Sequence, residues 1–186
     1  MDIISELNGK RILIWGYGRE GKATEHFLQR CVKPASVDIF EGKKEEIDED
    51  DYDFIIKSPG IVMNEENPKY TSETELFLQQ FRDQVIGITG TKGKSTTSAM
   101  LYTVLKACSS RPVLLLGNIG QPCLDYFEEV TEDTIIVYEM SCHQLAHTNV
   151  SPHIAIFLNL YEEHLDYYGT VEKLSLIHIS EPTRPY

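Results

Sequence analysis

The sequence predicts an α/β fold with mostly parallel sheets. Two observations carry this. Short apolar runs alternate with helical patterns along most of the 186 residues, as strands and covering helices do in βαβ units. Glycine-rich turns, Gly16–Gly21 and Gly87–Thr97, each follow an apolar run and precede a helical pattern. The elements follow in order. Arg11–Trp15 reads as a first strand, with a helix to about Arg30 that carries Ala23 and Phe27 on one face. Val37–Phe40 is a second strand. Glu41–Asp53 is charge-rich and reads as a solvated loop or irregular helix. Phe54–Ile56 is a third strand, broken by Ser58-Pro59-Gly60. Ser72-x-x-Glu75 is a capping box before Leu76–Phe81. A second unit opens with strand Val85–Ile88, the Gly87–Thr97 loop and a helix to Cys108. Met100, Leu101, Val104, Leu105 and Cys108 are expected to form that helix's apolar face. Strands Val113–Leu116, Thr134–Tyr138 and Ile154–Leu160 follow, and the domain boundary falls near Gln84.

Composition narrows the function classes. Hydrophobic residues make up 41% and charged residues 25%, as in soluble globular proteins. Seventeen basic against 29 acidic residues give a formal charge of −12, which argues against non-specific nucleic-acid binding. No apolar run approaches the roughly 20 residues of a membrane span. Met1–Asn8 carries Asp2 and Glu6 and does not read as a signal peptide. Cys31, Cys108, Cys123 and Cys142 are scattered without a CxxC pair and read as reduced thiols of a cytoplasmic protein.

Five constellations carry chemistry. In Gly87-Ile-Thr-Gly-Thr-Lys-Gly-Lys-Ser-Thr-Thr97, small residues let backbone N–H groups and a helix N-terminus surround phosphate oxygens. Lys94 can reach terminal phosphates, and the Ser95 or Thr96 hydroxyl can ligate Mg2+. Ile88 stands where a strict GxxxxGK[ST] has its first glycine. Gly16-x-Gly18-x-x-Gly21, with Asp38 read as ending the second strand, is on its own a dinucleotide fingerprint; the bland reading is a tight turn, and the ligand's identity stays open. Glu139 closes an apolar strand in the same sheet as the phosphate loop, where a carboxylate can hold Mg2+. Asn159, Glu162, Glu163, His164 and Asp166 follow another strand. His143, His147 and His153 read as ordinary surface or core residues. Leu116-Gly-Asn-Ile-Gly120 is a turn, or an amide placed to bond a ligand.

Together these stretches resemble the Mur ligases of peptidoglycan synthesis. Thr89–Thr96, Gly117-Asn-Ile-Gly120, Glu139-Met-Ser141 and Asn159…His164-x-Asp166 carry the resemblance. Gly16-Tyr-Gly-Arg19, Ser58-Pro-Gly-Ile61 and Ser141…Gln144-Leu145 make it most similar to the glutamate-adding branch. The resemblance implies a Rossmann-like N-terminal domain (1–84), binding a UDP-sugar rather than a dinucleotide, followed by an incomplete P-loop-type ATPase domain (85–173). Gly16, Tyr17, Gly18 and Arg19 would line the diphosphate and uridine, and Asp38 the uracil. Ser58, Pro59 and Gly60 would contact the substrate from their loop; Asn118, Ser141 and Gln144 would face the sugar and lactoyl-alanine end. Gly90, Thr91, Lys92, Gly93, Lys94, Ser95 and Thr96 would bind ATP. Ser95 and Glu139 would ligate one Mg2+ and His164 a second, with Lys94, Glu139 and His164 as the catalytic set.

The implied reaction joins UDP-N-acetylmuramoyl-L-alanine to D-glutamate through an acyl phosphate. The alternatives are another Mur or folylpolyglutamate-type ligase and, from another class, a dinucleotide-dependent oxidoreductase. The oxidoreductase leaves the phosphate loop, Glu139 and His164 unexplained. Cys142-His143 stands where many relatives have Ser-Phe, and Lys92 replaces a more usual Asn. The family's carbamylated lysine would fall near position 178, where His178 stands. Leu174–Arg184 resembles no Mur ligase segment and reads as an in-frame translation of a transposase-type sequencing adapter. Residues 174–186 are therefore expected to be a non-native tail, the family's C-terminal domain to be absent, and this chain alone to be inactive.

Overall fold

A computed structural model describes residues 2–61, 67–146 and 148–161. The chain divides into two compact units. The first comprises Met1–Gln80 together with Pro122–Glu129, and the second Phe81–Gln121 with the chain from Val130 onward. The segment Pro122–Glu129 thus leaves the second unit's sequence and belongs to the first, an arrangement without a signal in hydrophobic periodicity.

In the first unit, β1 (Arg11–Trp15) lies between β2 (Ser36–Phe40) and β3 (Phe54–Lys57), and β4 (Tyr70–Thr71) extends the sheet beyond β3. All pairings are parallel, with Trp15 opposite both Phe40 and Lys57. β1 is buried from Ile12 to Trp15, as a central parallel strand covered on both faces must be. Helix α2 (Arg19–Cys31) buries Ala23, Thr24, Phe27 and Leu28, and Phe27 stacks tilted on Phe127, ring centroids 4.7 Å apart. Helix α1 (Ile3–Leu7), capped by Asp2, was not foreseen; five residues hold too little periodicity to show. Helix α3 (Glu73–Phe81) starts at the anticipated capping residue, where Ser72 Oγ accepts from Glu75 N at 3.1 Å. The acidic stretch resolves into two 3-10 turns, Lys44–Glu46 and Glu49–Asp51.

In the second unit, strand order is β6 (Val113–Gly117), β7 (Ile135–Glu139), β5 (Val85–Thr89), β8 (Ile154–Phe157), again all parallel. Helix α4 (Lys94–Cys108) packs on β5, β6 and β7. Its expected apolar face is not buried: Met100 is 64% and Val104 56% exposed, Cys108 is exposed, and Ser98 is the helix's buried position. The packing stripe runs through Ser98, Leu101 and Leu105, at helical spacing; Met100 and Val104 lie about 100° away from it per residue of offset. β8 ends at Phe157, three residues short of the expected Leu160. Among the described residues no helix is long and apolar enough to cross a membrane.

Candidate functional site

The phosphate loop joins β5 to α4. Gly90 (φ +137°) and Gly93 (φ +85°) occupy backbone regions that side chains rarely adopt. A Cβ at Gly90 would also lie 3.0 Å from Asn159 O. Asn159, leaving β8, clamps the loop from outside. Its Oδ1 accepts from Lys92 N and its Nδ2 donates to Lys92 O, both at 2.9 Å, and its carbonyl accepts from Thr91 N at 3.0 Å. Tyr161 N donates to Thr91 Oγ1 at 2.9 Å, and Lys92 Nζ lies 5.8 Å above the Tyr161 ring. Gly93 caps α4 without a side-chain partner, and Ser95 and Thr96 are exposed. The helix therefore presents its first-turn N–H groups outward, an anion-binding arrangement. Lys94 Nζ donates to the loop's own carbonyls, Gly90 O at 2.7 Å and Thr91 O at 3.0 Å.

Beside the loop, Glu139 closes β7 at 0% exposure. Its Oε1 accepts from Asn118 Nδ2 at 2.9 Å and from Ser95 Oγ at 3.4 Å. Its Oε2 is buried and has no hydrogen-bond partner among the described residues; Thr89 Oγ1, at the end of β5, is in the same condition. A carboxylate oxygen buried without a partner costs roughly 1–3 kcal/mol or more, so this position fits a residue that meets a cation. The hard oxygen donors of Ser95 and Glu139 match Mg2+ chemistry.

The Gly117–Gly120 turn is built for close approach: Gly117 (φ +97°) would put a Cβ 2.3 Å from Glu139 O, and Asn118 N donates to that same carbonyl at 3.0 Å. Asn118 thereby serves Glu139 in the described structure. Ser141 and Gln144 form a reciprocal capping box on the short helix α5 (Cys142–Leu145): Gln144 N donates to Ser141 Oγ at 3.2 Å and Ser141 N to Gln144 Oε1 at 2.8 Å. The Ser-x-x-Gln spacing was a readable signal for that cap. Cys142 Sγ and His143 Nδ1 are 3.6 Å apart.

The remaining expected substrate residues lie in the first unit. Gly16 (φ +89°) turns against the third-strand loop, where a Cβ would be 2.7 Å from Ser58 Oγ. Ser58 Oγ donates to Gly16 O at 2.9 Å and Ser58 N to Trp15 O at 2.8 Å. Gly21 lies so close to Gly16 that a Cβ would fall 2.3 Å from its carbonyl oxygen. Gly18 caps α2 without a side-chain bond, Arg19 and Gly60 are exposed, Pro59 is half-buried, and Tyr17 Oη donates to Glu25 Oε2, which pushes the phenol's pKa up. One expectation is corrected. Asp38 does not end the second strand; it sits mid-strand opposite Leu13, and burial, then the Asp38 charge, raises the pKa of Tyr52. The acid at the strand's end is Glu41, next to Phe40, whose carbonyl accepts from Gly16 N at 2.8 Å. The strand runs two residues further than the acid chosen from the pattern, because Ile39 and Phe40 extend its pairing with β1.

A second residue was missed: Lys57, the last residue of β3, is 3% exposed. Burial pushes its pKa down to about 8, opposed by the nearby Glu20 carboxylate. Its position at the end of an apolar run, one residue before Ser58, was the available signal. His164, Glu162, Glu163, Asp166 and the 174–186 tail lie outside the described residues.

Residues 88–176 match the family model for the Mur ligase middle domain. The chain is 32% identical to UDP-N-acetylmuramoyl-L-alanine–L-glutamate ligase of Xanthomonas euvesicatoria pv. vesicatoria, over 96% of this chain and 47% of that protein. It is 36% identical to UDP-N-acetylmuramoylalanine–D-glutamate ligase of Clostridium kluyveri, over 78% of this chain and 33% of that protein. It therefore spans between a third and about half of these curated relatives. Among solved structures, the UDP-N-acetylmuramate:L-alanyl-gamma-D-glutamyl-meso-diaminopimelate ligase of Neisseria meningitides shares the fold at 17% identity and TM-score 0.52, covering 91% of this chain and 67% of that one. With the phosphate loop, the strand-end carboxylate and the middle-domain match in one sheet, the chain belongs to the Mur ligases.

Proposed function

We propose that this chain supplies the UDP-sugar site and much of the ATP site of a ligase that adds D-glutamate to UDP-N-acetylmuramoyl-L-alanine. The observation that carries the reading is the buried, unpartnered Glu139 oxygen beside Ser95 and a phosphate loop. The names of the relatives supply the substrate class, and the Xanthomonas relative's name prints L-glutamate.

In this reaction the alanyl carboxylate oxygen attacks the γ-phosphorus of ATP and ADP leaves. The amino acid's amine then attacks the resulting acyl phosphate carbonyl, forming the amide while phosphate departs and the amine loses a proton. Lys94 would release Gly90 O and Thr91 O and turn its ammonium to the β- and γ-phosphates, offsetting charge between two anions. The exposed N–H groups of the first turn of α4 would hold the remaining oxygens. Ser95 and Glu139 would hold Mg2+, which when bound offsets negative charge on the transferring phosphoryl group; His164 is proposed for a second ion. Asn118 would orient Glu139, and Asn159 would keep the loop's shape. In the first unit, the Gly16–Arg19 turn and the first turn of α2 would take the diphosphate. Glu41 stands at the strand end where an acid meets a ribose or base, and Ser58–Gly60 would close the pocket's side.

Ligand-induced thermal shift tests this. The 186-residue chain is expected to be stabilised by UDP-N-acetylmuramoyl-L-alanine and by MgATP, and not by NADH. Stabilisation by NADH without the UDP-sugar effect would move the first unit to the oxidoreductase reading.

A further inference from the structure

We propose that Lys57 is a positioning residue whose buried ammonium sets the shape of the Ser58–Ile61 substrate loop. The proposal rests on the reading of the first unit as a UDP-sugar site. A lysine at the end of an apolar strand ordinarily runs its ammonium out to water. Lys57 does not: the residue is 3% exposed and its Nζ donates to Ile61 O at 3.0 Å. The charged group acting on it is Glu20, in the first turn of α2; Glu20 acts in turn on Glu73 of α3. An apolar side chain would fill the same volume without the cost of desolvating a charge, so packing does not explain a lysine here.

What the ammonium does is hold a chain of contacts. Ile61 O accepts from Lys57, and Ile61 N donates to Ser58 O at 3.1 Å, closing the turn over Pro59 and Gly60. Ser58 then binds Gly16 O and Trp15 O. A Cβ on Gly16 would meet Ser58 Oγ at 2.7 Å and Ile61 Cδ1 at 3.1 Å. Both the loop's hydroxyl and its apolar end are therefore seated on the glycine turn. The buried charge, through Ile61, fixes how Ser58 meets the residues proposed to take the diphosphate. Burial brings the lysine's pKa down to about 8, so this hold weakens in mildly alkaline solution, when the charge facing Glu20 is lost.

The test uses the 186-residue chain, calorimetric titration with UDP-N-acetylmuramoyl-L-alanine, and amide hydrogen exchange at Ser58 and Ile61. Lys57→Met is expected to weaken binding about tenfold, the scale of one hydrogen bond to a charged group, and to speed exchange at both amides. Its MgATP affinity should be unchanged. Lys57→Arg keeps a charge that does not titrate, so it should recover part of the affinity. The wild-type chain should lose affinity between about pH 7 and pH 9, and the arginine variant should not. If Lys57→Met does not fold, the two pH profiles decide. Wild-type exchange and affinity in Lys57→Met, or identical pH profiles in wild type and Lys57→Arg, would overturn the proposal. A chain that ignores the UDP-sugar but whose loop exchanges faster in Lys57→Met would instead overturn the ligand reading and leave the positioning role standing.

Discussion

The two glycine loops share a plan, parallel strand to turn to helix, but they are held in different ways. The Gly16 loop is fixed mainly by close packing: Gly21 leaves no room for a Cβ against Gly16 O, and Ser58 both crowds Gly16 and donates to its carbonyl. Its helix cap, Gly18, has no side-chain bond. The Gly90 loop is fixed by polar groups: Asn159 clamps its backbone, Lys94 folds onto its carbonyls, and Glu139 waits beside it with one oxygen unpartnered. A loop shaped by contact suits a ligand that is only bound. A loop with a movable ammonium and an underused carboxylate suits one whose charge changes during reaction.

Substitutions at the glycines should separate these modes most strongly. Gly21→Ala puts a Cβ 2.3 Å from backbone and should destabilise the first unit by about 3 kcal/mol, read by chemical denaturation. Gly93→Ala meets nothing nearer than Leu158 Cδ1 at 3.7 Å; it should cost about 1–2 kcal/mol of backbone strain. Equal losses would break the comparison. Next, Lys94→Met should cost about 1–2 kcal/mol through its lost bonds to Gly90 O and Thr91 O and weaken MgATP binding about 100-fold, the size expected for a charge-assisted phosphate contact in a shielded site. Glu139→Gln should lower the Mg2+-dependent gain in ATP affinity about tenfold while leaving metal-free ATP binding intact, read by titration with and without Mg2+.

The smallest effect is a pH slope in the first unit. Burial, then the Glu20 charge, raises the pKa of Glu73 well above its usual value. The folded state then keeps a proton that the unfolded chain releases, so stability falls as pH rises above about 4.5, the unfolded value. Glu73→Gln retains an oxygen to accept from Leu124 N, a bond of 2.9 Å in the native chain. It should flatten that slope, as followed by the melting temperature across pH 5 to 8. An unchanged slope would locate the titration elsewhere.

Most of the fold was legible because its strands are short and mostly apolar, and three of them run into or end on a glycine of a turn. The placement of the Gly90 loop between a strand and a helix, and of Glu139 at a strand end beside Ser95, was legible from spacing alone. Other features were not. Pro122–Glu129 joins the first unit through Phe127 and Leu124, long-range contacts that no local pattern encodes. Asp38 was read as the strand-end acid, whereas the pairing of Ile39 and Phe40 with β1 carries the strand two residues past it. Lys57 lies just past the expected third strand, Phe54–Ile56, and only the folded structure shows its burial. The apolar stripe on α4 was overread, since Met100 and Val104 lie off the face that meets the sheet.

The most direct measurement is calorimetric titration of UDP-N-acetylmuramoyl-L-alanine and MgATP into Lys94→Met and Ser58→Ala forms of the chain. Two loops with two ligands predict that Lys94→Met loses MgATP and keeps the UDP-sugar, while Ser58→Ala weakens the UDP-sugar and keeps MgATP. Loss of both ligands in either variant, with the fold intact, would contradict it.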